Sequence, residues 1–158
     1  MSVDPATFRA VLGRFATGVT VVTVRDAQGQ DCGMTVSAFC SASLEPPLVL
    51  CCIGYEASMY DAMAQATHFA VNILAEGQEA ISRRFAEPES DRFDGLGYSR
   101  GLTGVALLEE TLAHVECRVV ERHEAGDHTV YVGEVVAAQA RNERPLLYYR
   151  GGYAALER

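Results

Sequence analysis

Hydroxyl side chains recur along one stretch of the chain, residues 33–50, which reads GMTVSAFCSASLEPPLVL. Side chains alternate between the two faces of an extended strand, so this stretch is predicted to have one polar and one apolar face. The polar face carries Thr35, Ser37 and Ser41, and the opposite face carries Met34, Val36, Ala38 and Cys40. A row of hydroxyls can line a polar ligand or simply face water, and the alternation alone favours the second.

Two adjacent arginines, Arg83 and Arg84, offer a second kind of chemistry, the binding of an anion. The helical spacing of Ile81 and Phe85 places both arginines near the C-terminal end of a helix predicted over residues 78–85. A guanidinium group at that end stabilises the helix through its dipole, and it is also a preferred partner of phosphate. Both roles are open from the sequence.

Two histidines, His123 and His128, flank a predicted hairpin tip between two strand-like runs. Glu124 and Asp127 lie between them, but a zinc site usually needs three or four protein ligands. We therefore predict no metal site. His128 is either an exposed turn residue or a hydrogen-bond donor at the edge of a cleft. Ser37 lacks the strand-to-helix elbow of a serine hydrolase, so no nucleophile is predicted there.

Neither of the common glycine-rich cradles for a nucleotide is present. The segment GLGYSRG, residues 95–101, has the wrong spacing for a dinucleotide fingerprint and follows no predicted strand. The chain also contains no GxxxxGK[ST] phosphate loop. A nucleotide cofactor, if the protein uses one, is therefore expected to be held in another way.

The composition is typical of a soluble globular protein and limits its partners. The chain has 158 residues, enough for one domain, residues 1–158, with a substantial core. Its formal net charge of −8 argues against a nucleic-acid-binding protein, and no run of residues is long and apolar enough for a membrane span. Five cysteines without a CxxC motif indicate free thiols, and with no secretory signal they predict a cytoplasmic protein.

Strand patterns outnumber helix patterns along the chain. Asp4 and Pro5 are typical of a helix start, and an apolar stripe (Phe8, Val11, Leu12 and Phe15) extends this helix toward Gly18. Ser58 could cap a second helix. Strands are predicted in the hydroxyl-rich stretch and over residues 18–24, 47–53, 68–74, 112–121 and 129–138, with a last pair after Pro145. Residues 86–104 are predicted to form a long irregular loop. Without regular βαβ alternation, the pattern favours an antiparallel β-barrel with flanking helices.

Six segments then occur in a recognisable order: FRAVLGRFATGVTVVT, GMTVSAFCSASLEPPLVLCC, HFAVNIL, SRRFA, GDHTVYVGEV and PLLYYRGGYAAL. With them the chain resembles, over almost its whole length, the flavin reductase family with the FMN-binding split-barrel fold. The resemblance implies a mainly β, six-stranded antiparallel split barrel with Greek-key-like connections. It also implies a homodimer that binds FMN or FAD near the subunit interface, takes hydride from NADH or NADPH, and supplies reduced flavin to a partner monooxygenase.

The same resemblance implies roles for particular residues. The residues implied to contact the flavin are Thr35, Val36, Ser37, Ala38, Ser41, Ser43, Cys52, Ser58, Arg84, Phe85 and Tyr153. Among these, Ser43 and Ser58 would follow the ribityl-phosphate path, whereas Arg84 and Phe85 would contact the phosphate or adenylate end. Tyr153 would form a further wall of the pocket. His128, in the GDH motif, would lie at the nicotinamide side of the flavin and orient the nicotinamide.

The sequence departs from the family's common pattern at two positions. Cys40 stands where the family often has Asn, and Ala38 where a second Ser is frequent, so the hydrogen bonds to the flavin ring are expected to differ. Two other functions are compatible with such a fold: a flavin- or haem-binding protein without reductase activity, and an oxidase acting on a vitamin-like amine. The GDH motif favours the reductase, and the lack of an arginine cluster for a 2′-phosphate favours NADH.

Overall fold

Antiparallel strands are the main secondary structure in the computed structural model of the chain, which describes residues 1–88 and 91–157. The helices are α1 (Pro5–Leu12), α2 (Tyr60–Gln65) and α3 (Glu79–Ala86), with a 3-10 turn at Glu76–Gln78. The strands are β1 (Thr17–Gly18), β2 (Thr20–Arg25), β3 (Asp31–Val36), β4 (Phe39–Ser43), β5 (Leu48–Gly54), β6 (His68–Ile73), β7 (Tyr98–Arg100), β8 (Ala106–Leu108), β9 (Ala113–Ala125), β10 (His128–Ala140), β11 (Leu147–Tyr149) and β12 (Gly152–Ala154). None of the described helices has the length and apolar character needed to cross a membrane.

The main sheet has seven strands in the order β3-β2-β6-β9-β10-β5-β4, and every neighbouring pair is antiparallel. Its two edge strands, β3 and β4, are consecutive in the chain and are joined by Ser37 and Ala38. The three backbone steps from Val36 to Phe39 span at most about 11 Å, so the two edges lie close together there. The sheet therefore curls into a barrel that is split between β3 and β4. The predicted mainly β, antiparallel split barrel with flanking helices is confirmed.

The hydroxyl-rich stretch forms two strands rather than one, which gives seven strands instead of the six that the resemblance implied. The amide of Phe39 donates to the carbonyl of Ser37 at 2.9 Å, and this tight turn separates β3 from β4. Val36 packs in the core before the turn and Phe39 packs against it after the turn, so the alternation changes phase. Ala38 and Cys40 are consequently exposed. Their predicted place on the core face was wrong, because a turn resets the parity of a strand.

One apolar core fills the barrel. Strands β2, β3, β5, β6, β9 and β10 all contribute to it, and Phe69 and Tyr131 are its largest buried side chains. Met63 of α2, and Met59 just before this helix, insert into the same core. Burying an apolar side chain of this size contributes about 1.5–3 kcal/mol. Ser58 does not cap α2, because Met59 occupies the cap position without a side-chain hydrogen bond.

A second apolar cluster lies outside the barrel, between β2 and α3. It contains Val21 from β2, Phe85 from α3 and Leu146 from the segment before β11. The alternate residues Val22 and Val24 of β2 point into the barrel, so this strand is buried on both faces. Because β3 is hydrogen-bonded to β2, the second cluster and α3 fix the position of β3 from outside.

Helix α1 is shorter than predicted and makes few contacts with the rest of the chain. It ends at Leu12, with Gly13 as its cap, several residues before the predicted end. None of its residues is buried, and Phe8 and Phe15 of the predicted stripe are 56% and 76% exposed. Its C-terminal end is tied by the carbonyl of Gly13, which accepts from the amide of Arg150 at 2.8 Å. Within the described part of the chain, the apolar stripe of α1 therefore stays uncovered.

Strands β9 and β10 form the longest hairpin and extend a few residues beyond their predicted ends. Its tip contains Gly126, whose φ of 62° lies in the left-handed region that favours glycine. This turn presents Asp127 and His128 at the end of the hairpin. The predicted irregular loop of residues 86–104 contains the short strand β7, which pairs with β8; residues 89–90 of that loop lie outside the described residues.

Candidate functional site

The outer face of strands β4, β5 and β10 brings several of the predicted site residues together. Cys51 and Ile53 of β5 are buried in the barrel core, so Cys52 between them points outward. The amide of Cys52 donates to the carbonyl of Ala38 at 3.1 Å, which places Ala38 beside it. On the other side of β5, Gly54 pairs with His128 of β10. We refer to Ala38, Cys52, Gly54 and His128 as the rim, since they follow the open edge of the barrel.

His128 is held by its neighbour in the GDH motif. Its Nδ1 lies 2.7 Å from Oδ1 of Asp127, and the hydrogen bond from the ring holds the pKa of that carboxyl below its ordinary value. An ionised carboxylate can only accept, so Nδ1 carries the hydrogen and Nε2 is left for a ligand. Nε2 lies 3.5 Å from the position that a Cβ on Gly54 would occupy, so it is directly beside the rim backbone. The side chain of His128 is 47% exposed.

The rim contains one thiol, that of Cys52. Cys52 is half-buried, and burial together with the nearby thiol of Cys40 raises its pKa. A protonated thiol is a weak nucleophile and a small, soft packing surface. Cys52 is therefore suited to contact with a flat ligand and not to covalent catalysis.

Thr35 and Tyr153 meet at helix α3, on the opposite side of β3 from the barrel core. The hydroxyl of Thr35 donates to the carbonyl of Ser82 at 2.6 Å, and Oγ of Ser82 lies 2.7 Å from the hydroxyl of Tyr153. The guanidinium of Arg83 stacks 4.9 Å from the centre of the Tyr153 ring and is ion-paired with Glu79 at 2.7 Å. The predicted flavin contacts of Thr35 and Tyr153 stay predictions, and in the single chain both hydroxyls bond to Ser82.

Arg84 and Phe85 are also engaged within the chain. The guanidinium of Arg84 donates to the carbonyl of Asp91 at 3.0 Å and to the carbonyl of Asp94. Phe85 is fully buried, and its ring lies 2.9 Å from where a Cβ on Gly33 would stand. Glycine at position 33 therefore allows β3 to rest directly on the ring. The predicted contact of these two side chains with phosphate stays a prediction. In the single chain, Arg84 bonds to the loop after α3 and Phe85 packs against strand β3.

The other predicted flavin contacts lie apart from the rim. Val36 is buried in the barrel core, and its carbonyl accepts from the hydroxyl of Thr20 at 2.5 Å. Ser41 pairs with Val49, a buried residue, and so lies on the face opposite to the rim. Ser43 follows an irregularity in the β4–β5 pairing and is half-buried. The predicted row of hydroxyls is therefore divided between separate surfaces.

Arg92, which the sequence interpretation missed, lines a cavity of about 260 Å³ together with Ser58 and Gly33. Its Nη1 donates to the carbonyl of Gly33 at 2.7 Å, and Nε donates to the carbonyl of Glu87 at 3.0 Å. Arg92 lies in the predicted irregular loop, where no periodicity marks a functional residue. Only its charge could have indicated it, and the loop places that charge beside Ser58.

The rim fits a flat aromatic ligand with a polar edge. Ala38 and Cys52 are small, Ser37 and Ala38 are exposed at the split, and His128 stands at one end. The described residues of the rim include no ionised nucleophile. The arrangement is therefore suited to binding and orienting a cofactor that carries the chemistry itself.

A family model described as flavin reductase like domain matches residues 12–157 of the chain. A probable flavin reductase of Rhizobium meliloti is 41% identical over 150 residues, which cover 95% of this chain and 48% of that protein. The chain thus spans about half the length of that relative. The reductase subunit HsaB of a flavin-dependent monooxygenase from Rhodococcus jostii is 40% identical over 157 residues, with 99% of this chain and 80% of HsaB covered.

A solved structure gives the same family. The NADH:FAD oxidoreductase SgcE6 of Streptomyces globisporus, in complex with NAD and FAD fragments, matches with a TM-score of 0.92 and 38% identity. The match covers 99% of this chain and 97% of SgcE6. The sequence motifs, the split antiparallel barrel and these matches agree, and the chain belongs to the flavin reductase family.

Proposed function

We propose that residues 1–158 form one flavin reductase domain that transfers hydride from NADH to FMN or FAD. The observation that carries this proposal is the position of His128, whose Nε2 lies beside Gly54 at the end of the rim. A nicotinamide ring placed against a flavin on the rim would meet this nitrogen. The similarity to SgcE6, an NADH:FAD oxidoreductase, supports the same assignment.

The chain's own residues bind and orient the reactants in this proposal. When bound, the flavin accepts the hydride, so the protein needs no strong acid or base for the transfer. Ala38 and Cys52 would lie against the flavin ring, and His128 would position the nicotinamide while Asp127 holds its Nδ1. Correct placement of two reactants can lower the activation free energy of their reaction by about 7–11 kcal/mol. Positioning is therefore a sufficient role for the rim.

A steady-state assay tests the function directly. The purified protein is mixed with NADH or NADPH in the presence of FMN, FAD or no flavin, after its absorption spectrum as purified has been recorded. We expect nicotinamide oxidation only when a flavin is bound or added, and a higher kcat/KM with NADH than with NADPH. No oxidation with either flavin and either nicotinamide would overturn the assignment.

We further propose that the reduced flavin is used by a separate monooxygenase component, as the name of the relative HsaB indicates for that protein. A reducing cytoplasm is the proposed compartment, because all five cysteines are free and Cys40 is exposed. Candidate oxygenases can be tested by adding them to the reductase assay, where the expected result is product formation that depends on NADH and flavin. Product formed equally well without the reductase would contradict the partnership.

A homodimer is the proposed assembly, and α1 supplies the argument from the structure. The amphipathic helices of a globular protein bury their apolar stripe. In the single chain, Phe8, Val11 and Leu12 of α1, and Phe15 just after it, are all more than half exposed. A second copy that covers this stripe would remove it from water, in line with the dimer that the family resemblance implies.

Light scattering after size exclusion tests the dimer. The wild-type protein is expected to have twice the protomer mass of 17.1 kDa. The double substitution Phe8→Asp and Val11→Asp should give the monomer without unfolding it, because α1 contributes no buried residue. Arg9→Glu changes the charge of the same helix outside the stripe and is the matched control. A monomeric wild type, or a double variant that stays dimeric, would contradict the proposed interface.

A further inference from the structure

Two thiols share one outer face of the main sheet, at the split of the barrel. Phe39 packs against the core, so Cys40, the next residue of β4, points outward and is exposed. On β5, Cys52 also points outward, because its neighbours Cys51 and Ile53 are buried in the core. Cys40 is one of the two positions where the sequence departs from the common family pattern. The pair of thiols therefore follows from this chain's own sequence.

The strand register makes the two thiols diagonal neighbours. Cys40 pairs with Leu50, and Phe39 pairs with Cys51, so Cys52 is the residue of β5 that lies diagonally opposite Cys40 on the same face. Burial raises the pKa of Cys52, and the thiol of Cys40 is close enough to raise it further. Diagonal neighbours of an antiparallel pair have Cα atoms about 7–8 Å apart, with their Cβ atoms somewhat closer. A small movement is therefore enough to bring the two sulfur atoms together.

The other three cysteines are placed differently. Cys51 and Cys117 are fully buried in the barrel core, so an oxidant in solution does not reach them. Cys32 is half-buried on β3, on the other side of the split. Cysteines that respond to oxidants are accessible to solvent and often lie beside a second thiol that completes the reaction. Cys40 beside Cys52 has this arrangement.

Strand β4 is able to make the movement that a disulfide requires. It lies at the edge of the main sheet, where β5 is its neighbour, and its pairing is irregular between Ser41 and Ser43. An edge strand moves at a lower cost in free energy than a strand that is hydrogen-bonded on both sides. A disulfide needs a Cα separation of about 4.4–6.8 Å, so the shift of Cys40 toward Cys52 is on the order of 1 Å.

A shift of β4 alters the rim. Ala38 immediately precedes β4, and its carbonyl accepts the hydrogen bond from the amide of Cys52. The side chains of Ala38 and Cys52 are the ones proposed above to lie against the flavin ring. A bond from Cys52 to Cys40 takes the Cys52 sulfur out of that surface and displaces Ala38. Because a misplacement of about 1 Å can cost about 100-fold at a positioned site, the oxidised rim should bind flavin more weakly.

We propose that hydrogen peroxide links Cys40 and Cys52 in a reversible disulfide, and that this disulfide weakens flavin binding at the rim. The proposal rests on the proposed function, which supplies both the flavin and the oxidant. Free reduced flavin that gives two electrons and two protons to dioxygen yields hydrogen peroxide. A reductase whose product is not consumed by an oxygenase would then lower its own activity.

The oxidation proceeds in two balanced steps. Cys40 reacts as the thiolate with one oxygen of hydrogen peroxide, the O–O bond breaks, and the leaving hydroxide takes up the thiol proton to form water. Cys52 then loses its proton, its Sγ attacks Sγ of the Cys40 sulfenic acid, and the S–O bond breaks to release a second water. Two thiols have lost two electrons and two protons, and the peroxide has been reduced to two waters. Exchange with a cellular thiol restores both cysteines.

Titration with hydrogen peroxide, in the absence of nicotinamide, tests both parts of the proposal. The wild-type protein should lose the mass of two hydrogen atoms, and peptide mapping after alkylation of the free thiols should link Cys40 to Cys52. The dissociation constant for FMN, measured from the quenching of flavin fluorescence, should rise at least about tenfold and return after treatment with dithiothreitol. A linked pair with unchanged FMN affinity would overturn the proposal, as would a loss of affinity without this link.

Single substitutions locate the effect. Cys40→Ser keeps the size of an exposed side chain, and its FMN dissociation constant should be the same before and after peroxide. Cys32→Ser removes a thiol outside the pair and is the matched control, which should respond as the wild type does. Peroxide that weakens FMN binding to Cys40→Ser as much as to the wild type would contradict the disulfide. If Cys40→Ser does not fold, the peptide map and the reversal by dithiothreitol in the wild type decide.

The outcomes also separate this proposal from the proposed function. Wild-type protein that forms the disulfide and then binds FMN more weakly, but does not oxidise nicotinamide, would keep the thiol pair and reject the reductase. Wild-type protein that reduces flavin, yet keeps its FMN affinity after peroxide, would keep the reductase and reject the thiol pair. Protein that binds neither FMN nor FAD before oxidation would reject both.

Discussion

The rim and the underside of β3 differ in how firmly their side chains are held. At the rim, His128 is half-exposed and is fixed by a hydrogen bond to Asp127, whose side chain is 95% exposed. Beneath β3, Ser82 and Phe85 are fully buried, and Ser82 bonds to both Thr35 and Tyr153. The family resemblance implied ligand contacts in both regions, yet the single chain leaves only the first open.

This difference indicates two roles for the predicted site residues. Buried polar groups whose hydrogen bonds are all satisfied hold a fixed arrangement, because leaving one unpaired costs free energy. The residues beneath β3 therefore act as a framework that fixes the strand leading to the split. The rim can accept a ligand, because its groups have spare hydrogen-bonding capacity and access to solvent.

The largest expected effect comes from the framework. Phe85→Ala removes a fully buried ring on which Gly33 rests, so the free energy of unfolding should fall by about 3–5 kcal/mol. Chemical denaturation followed by circular dichroism measures this loss. Leu102→Ala, at a position that is 75% exposed, is the control and should change stability by less than about 0.5 kcal/mol. A loss below about 1 kcal/mol for Phe85→Ala would show that the ring does not stabilise the framework.

The next effect concerns the rim and should appear in kinetics alone. His128→Ala should lower kcat/KM for NADH by about tenfold or more, equal to about 1.4 kcal/mol, and should leave the melting temperature and the FMN dissociation constant unchanged. His123→Ala alters the same hairpin, where His123 bonds to Glu121, and serves as the control. Unchanged kcat and KM for the nicotinamide would remove His128 from the site.

The smallest expected effect tests whether Tyr153 belongs to the framework beneath β3 or to the ligand pocket. Tyr153→Phe removes the hydroxyl that bonds to Ser82, so the free energy of unfolding should fall by about 1 kcal/mol with flavin affinity unchanged. Ser82→Ala should cost a similar amount, and the double variant should cost less than the sum of both because the two share one bond. Weaker flavin binding at unchanged stability would instead make Tyr153 a wall of the pocket, as the resemblance implied.

Much of the fold could be predicted because it follows from local patterns. The spacing of Ile81 and Phe85 predicted α3 to within a residue, and the Gly126 turn predicted the β9–β10 hairpin. The course of the hydroxyl-rich stretch was not predictable in the same way, since the turn at Ser37 is stabilised by pairing of β4 with β5. The amide of Cys52, which bonds to Ala38, belongs to a distant part of the sequence.

For the site, the sequence supplied the motifs but not their arrangement. The GDH motif marked His128, and its place at a hairpin tip follows from local turn chemistry. The sequence interpretation singled out Arg84 at the end of α3 and missed Arg92, because no periodicity marks a single residue of an irregular loop. Only the packing of α3 against β3 directs Arg84 to the carbonyls of Asp91 and Asp94 and brings Arg92 to Gly33.

The sequence by itself determined the family, the strand-rich antiparallel fold and the residue types available for binding a flavin, since these depend on composition, periodicity and the order of motifs. The tertiary structure decided which hydroxyls are exposed and which are hydrogen-bonded within the framework. The physical reason is that a side chain's face depends on the strand's parity, and a single tight turn at Ser37 changes that parity. The position of the Arg92 guanidinium likewise depends on contacts between β3 and the loop that follows α3.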